Sequence, residues 1–80
     1  MRILSIRPLR GSGAEARFDI EINEHLRLFG LLLKRSRDGL RRTYAPNSCG
    51  RHVASFHPAL ASRITAAAVA ALEATAHEGR

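Results

Sequence analysis

Cys49, His52 and His57 form a C-x2-H-x4-H string, made of residue types that ligate zinc. A structural zinc site takes four protein ligands, and only His25 or His77 remains to complete the set. The string also runs through an expected loop, a strand and the start of a helix, so no metal site is expected. His57 is read as fastening the start of that helix, and His52 as a strand-edge residue. Cys49 and His52 have the residue types of a nucleophile and its base, but no orienting acid lies nearby in the sequence. Asp19 and Glu21 share one face of a strand with Arg17, which fits solvated cross-strand salt bridges better than paired acid and base catalysis. Gly11-Ser12-Gly13 lacks the following helix and lysine of a phosphate-cradling loop. The expectation is therefore a protein that is not an enzyme, with no metal, no cofactor and no small-molecule substrate.

The residues that do suggest chemistry are cationic. Residues 34–51 hold Lys34, Arg35, Arg37, Arg41, Arg42 and Arg51 against Asp38, a local charge of +5 in a chain of net charge +6. Residues 1–33 carry five arginines against four acids, and residues 52–80 are balanced. A clustered positive field concentrates polyanions, and the planar guanidinium forks onto phosphate. These six residues are the candidate nucleic-acid-binding set. Tyr44 has the ring to stack on an unpaired base, although a core or rim position is favoured for a lone aromatic. Phe18 is placed in the core, and Phe29 and Phe56 are read as packing or dimer residues.

The elements that position these side chains follow from periodicity. Eighty residues make one domain with a thin core, burying about 60–65% of the unfolded chain's surface. A single cysteine, Cys49, suggests a reducing compartment. Arginines within the first eight residues argue against a signal peptide, and the longest apolar stretch is far short of a membrane span. A cytoplasmic protein without membrane contact is expected.

Ile3, Leu4 and Ile6 make an extended segment closed by Pro8. Ala16, Phe18, Ile20 and Ile22 alternate with Arg17, Asp19, Glu21 and Asn23, which predicts a half-buried strand. Asn23-Glu24-His25 predicts a turn into a strand over 26–35. Strict alternation there puts Leu26, Leu28 and Leu32 on one face and Phe29, Leu31 and Leu33 on the other, leaving a second apolar face that calls for a partner. Asp38-Gly39 predicts a hairpin into Leu40–Ala45, followed by a loop over 46–50 and a weak fifth strand over His52–Phe56. Pro58 suits a first helical turn. Leu60, Ile64, Ala67, Ala68, Ala71, Leu72 and Thr75 recur at helical spacing, which predicts a helix from Pro58 to His77, roughly 30 Å long. The reading is an α+β domain over the whole chain, a small antiparallel sheet of four to five strands (about 1–56) and one C-terminal helix (about 58–77).

Met1-Arg2-Ile3 with Ile6-Arg7, then Ile22-Asn23-Glu24 with Leu26 and Leu28, Gly39-Leu40, Pro46, and finally His57-Pro58 before a C-terminal helix, occur in an order that resembles the SpoVG (stage V sporulation protein G, septation-protein) family. The resemblance spans nearly the whole chain and rests on the order and spacing of short motifs. It implies a small antiparallel sheet with a C-terminal helix, a homodimer, and binding of DNA or RNA, as in a regulator. The chain departs from the pattern where the family has a Ser-Lys-Arg type basic loop. Here the stretch is Asn47-Ser48-Cys49-Gly50, with Arg51 the basic residue left. Phe29-Gly30 stands where the family has His-Asp, and Arg41 and Arg42 carry charge on the adjoining strand instead.

Two functions of different classes compete at this point. One is a dimeric nucleic-acid-binding regulator, the other a protein-interaction or assembly module whose basic face only solubilises it. The +5 segment favours the first, and the missing basic loop the second.

Overall fold

A computed structural model describes residues 1–10, 13–45, 47–48, 51–52 and 56–78, with the backbone alone at 47–48, 51–52 and 76–78. Four strands, β1 (Arg2–Pro8), β2 (Ala14–Asn23), β3 (Leu26–Arg35) and β4 (Arg41–Tyr44), form an antiparallel meander in the order β1-β2-β3-β4. The helix α1 (Pro58–Glu78) packs on one face of it, so the fold is α+β as expected. The fifth strand is a correction. β5 (Asn47–Ser48) and β6 (Arg51–His52) pair with each other in a separate two-stranded ladder, β5 lying within the expected loop. Residues 53–55 of the anticipated strand lie outside the described residues, and Phe56 and His57 are in neither strand nor helix.

The alternation in β2 does what its period dictates. Ala16, Phe18 and Ile20 are fully buried, facing Leu31 and Leu33 of β3 and Ile64 and Ala68 of α1. Ile3 and Ile6 of β1 stand opposite Ile20 and Phe18 and extend this core. Burying each of Phe18, Ile20, Leu31, Leu33 and Ile64 contributes roughly 1.5–3 kcal/mol. Small Ala68 at the contact lets the helix lie close, and Thr43 and Thr65 hydroxyls hydrogen-bond at 2.8 Å to tie β4 to α1.

The ends of the elements are set by local polar chemistry. Asn23 Oδ1 accepts the His25 N–H at 2.8 Å, closing the tight Glu24-His25 turn. Asp38 Oδ1 accepts the Leu40 N–H at 3.0 Å, and Gly39 takes the positive φ of 84° that this turn needs. His57 caps α1: its Nδ1 accepts the Ala59 N–H at 3.2 Å, and its carbonyl accepts the Ala61 N–H at 2.9 Å. Pro58 then occupies the first helical position, where no N–H is lost.

Strict alternation fails on β3. Phe18 pairs with Leu31, but Ile20 pairs with Leu28, so two steps of β2 match three of β3. The extra residue is a bulge at Phe29-Gly30, opposite Asp19, with Gly30 at φ 72°. Asp19 Oδ1 accepts the Gly30 N–H at 2.8 Å, satisfying the donor that the bulge leaves without a ladder partner. The bulge reverses the phase, so Leu28 joins Leu31 and Leu33 toward the helix while Phe29 turns outward, 63% exposed. The expected face of Phe29, Leu31 and Leu33 is thereby corrected: two of the three are core.

Candidate nucleic-acid interface

Cross-strand partners share a sheet face, so the pairing register assigns each cation to a side. Arg35 pairs with Arg41 next to Leu33–Thr43, on the side of the helix. Lys34 pairs with Arg42 next to Leu32–Tyr44, on the opposite side. The six expected residues therefore do not form one platform. Lys34 and Arg42 come together on the face that α1 leaves open, Arg35 and Arg41 come together on the other, and Arg37 sits in the exposed β3–β4 turn. Arg51 lies on β6, and its side chain is outside the described residues.

Each side of this hairpin sets two cations against one carboxylate, and the two differ in geometry. On the helix side Glu15, the extra residue of a second bulge, serves both arginines. Arg41 Nε and Nη2 donate to its two carboxylate oxygens at 2.9 and 3.1 Å, and Arg35 Nε lies 3.6 Å away. The hydrogen bond from Arg41 is the main cause that holds the Glu15 carboxyl below its ordinary range, and the same bond raises Arg41. On the open side, Asp38 lies 3.3 Å from Arg42, and the Ser36 hydroxyl, the Leu40 N–H and Arg42 together hold Asp38 low. Lys34 carries its ammonium 5.0 Å from the centre of the Tyr44 ring, a cation–π contact on the sheet surface.

The open face continues across all four strands. One row reads Arg7, Arg17, Leu32, Tyr44. The next reads Ser5, Asp19 and the Phe29-Gly30 bulge, and a further row reads Arg2, Glu21, Arg27. In that last row Glu21 bridges Arg2 at 3.3 Å and Arg27 at 3.1 Å, as expected of a solvated cross-strand face. Asp19 instead accepts from the Gly30 N–H and from the Ser5 hydroxyl at 3.1 Å, and makes no ion pair among the described residues. Arg7 and Arg17 stand directly opposite each other with no carboxylate within ion-pair distance among the described residues. Counting side chains, the face presents Arg2, Arg7, Arg17, Arg27, Lys34 and Arg42 against Asp19 and Glu21, with Asp38 at its rim.

Comparison with protein-family models, with curated proteins and with solved structures finds no match to this chain. The open face is thus read from its own chemistry. Arg7, Arg17 and Phe29 belong to it and were not among the candidates from sequence. Arg17 was within reach, because a residue between buried Ala16 and Phe18 must face away from the core. Phe29 was not, because the bulge that turns it outward depends on tertiary pairing.

The remaining chemistry is modest. Cys49, and the side chains of His52 and His77, are outside the described residues, so the zinc string cannot be followed there; no metal-ligand cluster occurs among the described residues. His57 is engaged as the helix cap. No described helix is long and apolar enough to cross a membrane.

Proposed function

We propose that this protein binds nucleic acid through the sheet face that α1 leaves uncovered, with Lys34 and Arg42 from the original set joined by Arg7 and Arg17. The observation that carries the reading is the directly opposed Arg7–Arg17 pair without a carboxylate partner among the described residues. Like charges opposite each other in a sheet are destabilising, and a bound polyanion relieves that cost. Two exposed aromatics, Phe29 and Tyr44 at 63% and 42%, lie among the cations, where unpaired bases could stack on them and where a purely solubilising face has no use for them. Arg35 and Arg41 take a structural part in this reading, held by Glu15. A relationship to the SpoVG family, and with it a regulatory role in the cytoplasm as a homodimer, belongs to this proposal on the order of the sequence motifs alone. No catalytic step, cofactor or small-molecule substrate is part of this function.

A second reading, a protein-interaction module, is favoured by Leu40, exposed at 60%, beside a groove of about 680 Å³ between β4 and α1 that Tyr44, Phe56 and Thr65 help to line. Fluorescence anisotropy with DNA and RNA at two salt concentrations separates the two. Affinity that falls steeply between about 50 and 200 mM salt supports nucleic-acid binding. Absence of binding at the lower salt refutes it and leaves the interaction module.

A further inference from the structure

The open face is not uniform, and one part of it has the shape and chemistry of a nucleotide subsite. Ser5, Arg7, Arg17, Asp19, Phe29 and Gly30 surround a depression of about 380 Å³ above β1, β2 and β3. Three features of this depression are set by the backbone. The bulge turns Phe29 out of the core phase and leaves its ring exposed. Gly30 supplies the missing side chain: a Cβ there would sit 3.1 Å from Arg17 Nη2, so the guanidinium lies against the bulge beside Phe29. Asp19, the one carboxylate of the depression, has one oxygen engaged by the Gly30 N–H and the other by the Ser5 hydroxyl. Its acceptor oxygens are taken up in holding the bulge, and Arg7 and Arg17 still outnumber its one negative charge by two to one.

We infer that this depression is a subsite for one nucleotide of a single strand, with its base stacked on Phe29 and its phosphate held by Arg7 and Arg17. The inference rests on the nucleic-acid reading and sharpens it from polyanion to single-stranded polynucleotide. A duplex keeps its bases stacked inside and offers an exposed phenyl ring nothing to stack on, whereas an unpaired base presents a full π-face. Phe29 leaves most of its surface in solvent, yet it lines the same depression as two guanidiniums that make no ion pair among the described residues. Tyr44 lies in the same row as Arg17, two strands further on, about 10 Å away at the usual strand spacing. A strand crossing the sheet from Phe29 thus meets a second ring, beside Lys34.

The test is anisotropy with labelled oligo-deoxythymidine and oligo-uridine of about twelve nucleotides and a duplex of the same length, using the wild type, Phe29→Leu, Phe29→Tyr and Arg7→Gln. Phe29 is exposed, so its replacement leaves the core intact, and thermal melting checks this. The expected result is tighter binding of single strands of either polymer than of duplex, with the two single-strand arms showing which sugar is preferred. Phe29→Leu loses about tenfold or more in single-strand affinity, Phe29→Tyr keeps it, and Arg7→Gln lowers the salt slope by about 0.7. Equal binding of single strand and duplex with Phe29→Leu unchanged overturns the subsite and leaves the nucleic-acid reading standing. Failure of every probe to bind at about 50 mM salt overturns both.

Discussion

Arg41 grips Glu15 through both carboxylate oxygens, at 2.9 and 3.1 Å, from strands that are not neighbours in the sheet. The pair is three-quarters shielded from solvent and includes Arg35 at 3.6 Å, so it stabilises the β2 bulge and β4 together. The Glu15 carboxyl is held below its ordinary 4.5, so folding favours its ionised form. The stability this contributes is fully present above the unfolded value and is lost as pH falls through the folded one. Glu15→Gln is expected to cost about 0.5–1 kcal/mol at neutral pH. Melting curves at successive pH values should show the gap to wild type closing below about pH 4.5; a gap that persists unchanged in acid would assign the loss to packing instead.

Gly30→Ala meets two obstacles at once, a positive φ of 72° and the Arg17 guanidinium 3.1 Å from the new Cβ. The expected loss is about 1–2 kcal/mol, seen as a lower denaturation midpoint. Asp19→Ala removes the acceptor for the Gly30 N–H and should cost a similar amount, while Asp19→Asn keeps an acceptor oxygen and loses less. Asp19→Asn equal in cost to Asp19→Ala would show that charge, not the hydrogen bond, holds the bulge.

Much of this architecture was readable from residue order. The alternation of Ala16, Phe18 and Ile20 announced β2, Asp38-Gly39 announced the turn into β4, and His57-Pro58 with the Ile64/Ala68 stripe announced α1. What escaped is the bulge at Phe29-Gly30, since glycine in a strand pattern signals an irregularity without saying which neighbour it turns. That one residue of slippage parted Phe29 from Leu31 and Leu33 and put Leu28 with those two in the core. The cationic cluster was visible as a run of charge, and strand alternation already set Arg41 and Arg42 on opposite faces; which cations come together depends on β3–β4 register, and the ion pairing of Arg41 depends on Glu15, 26 residues earlier in the chain.

Ile64 is, with Ala68, a fully buried residue of α1 in the core it shares with Phe18, Leu31 and Leu33 of the sheet. Ile64→Ala should cost about 2–4 kcal/mol, a large share of the stability of so small a domain. His57→Ala, which removes only the cap of the same helix, should cost about 0.5–1 kcal/mol. Urea titrations monitored by helical circular dichroism measure both, and a larger loss from the cap than from the core would contradict the packing described.

The central claim is that the sheet face away from α1 is the working surface, and a charge-matched comparison tests it most directly. Lys34→Gln/Arg42→Gln and Arg35→Gln/Arg41→Gln each remove two positive charges from the same two strands, on opposite faces. Single-strand affinity measured by anisotropy at fixed low salt should fall at least about tenfold in the first double variant and stay within about threefold of wild type in the second, provided melting shows both folded. An equal loss in the two variants, or a greater loss in the second, would contradict the claim.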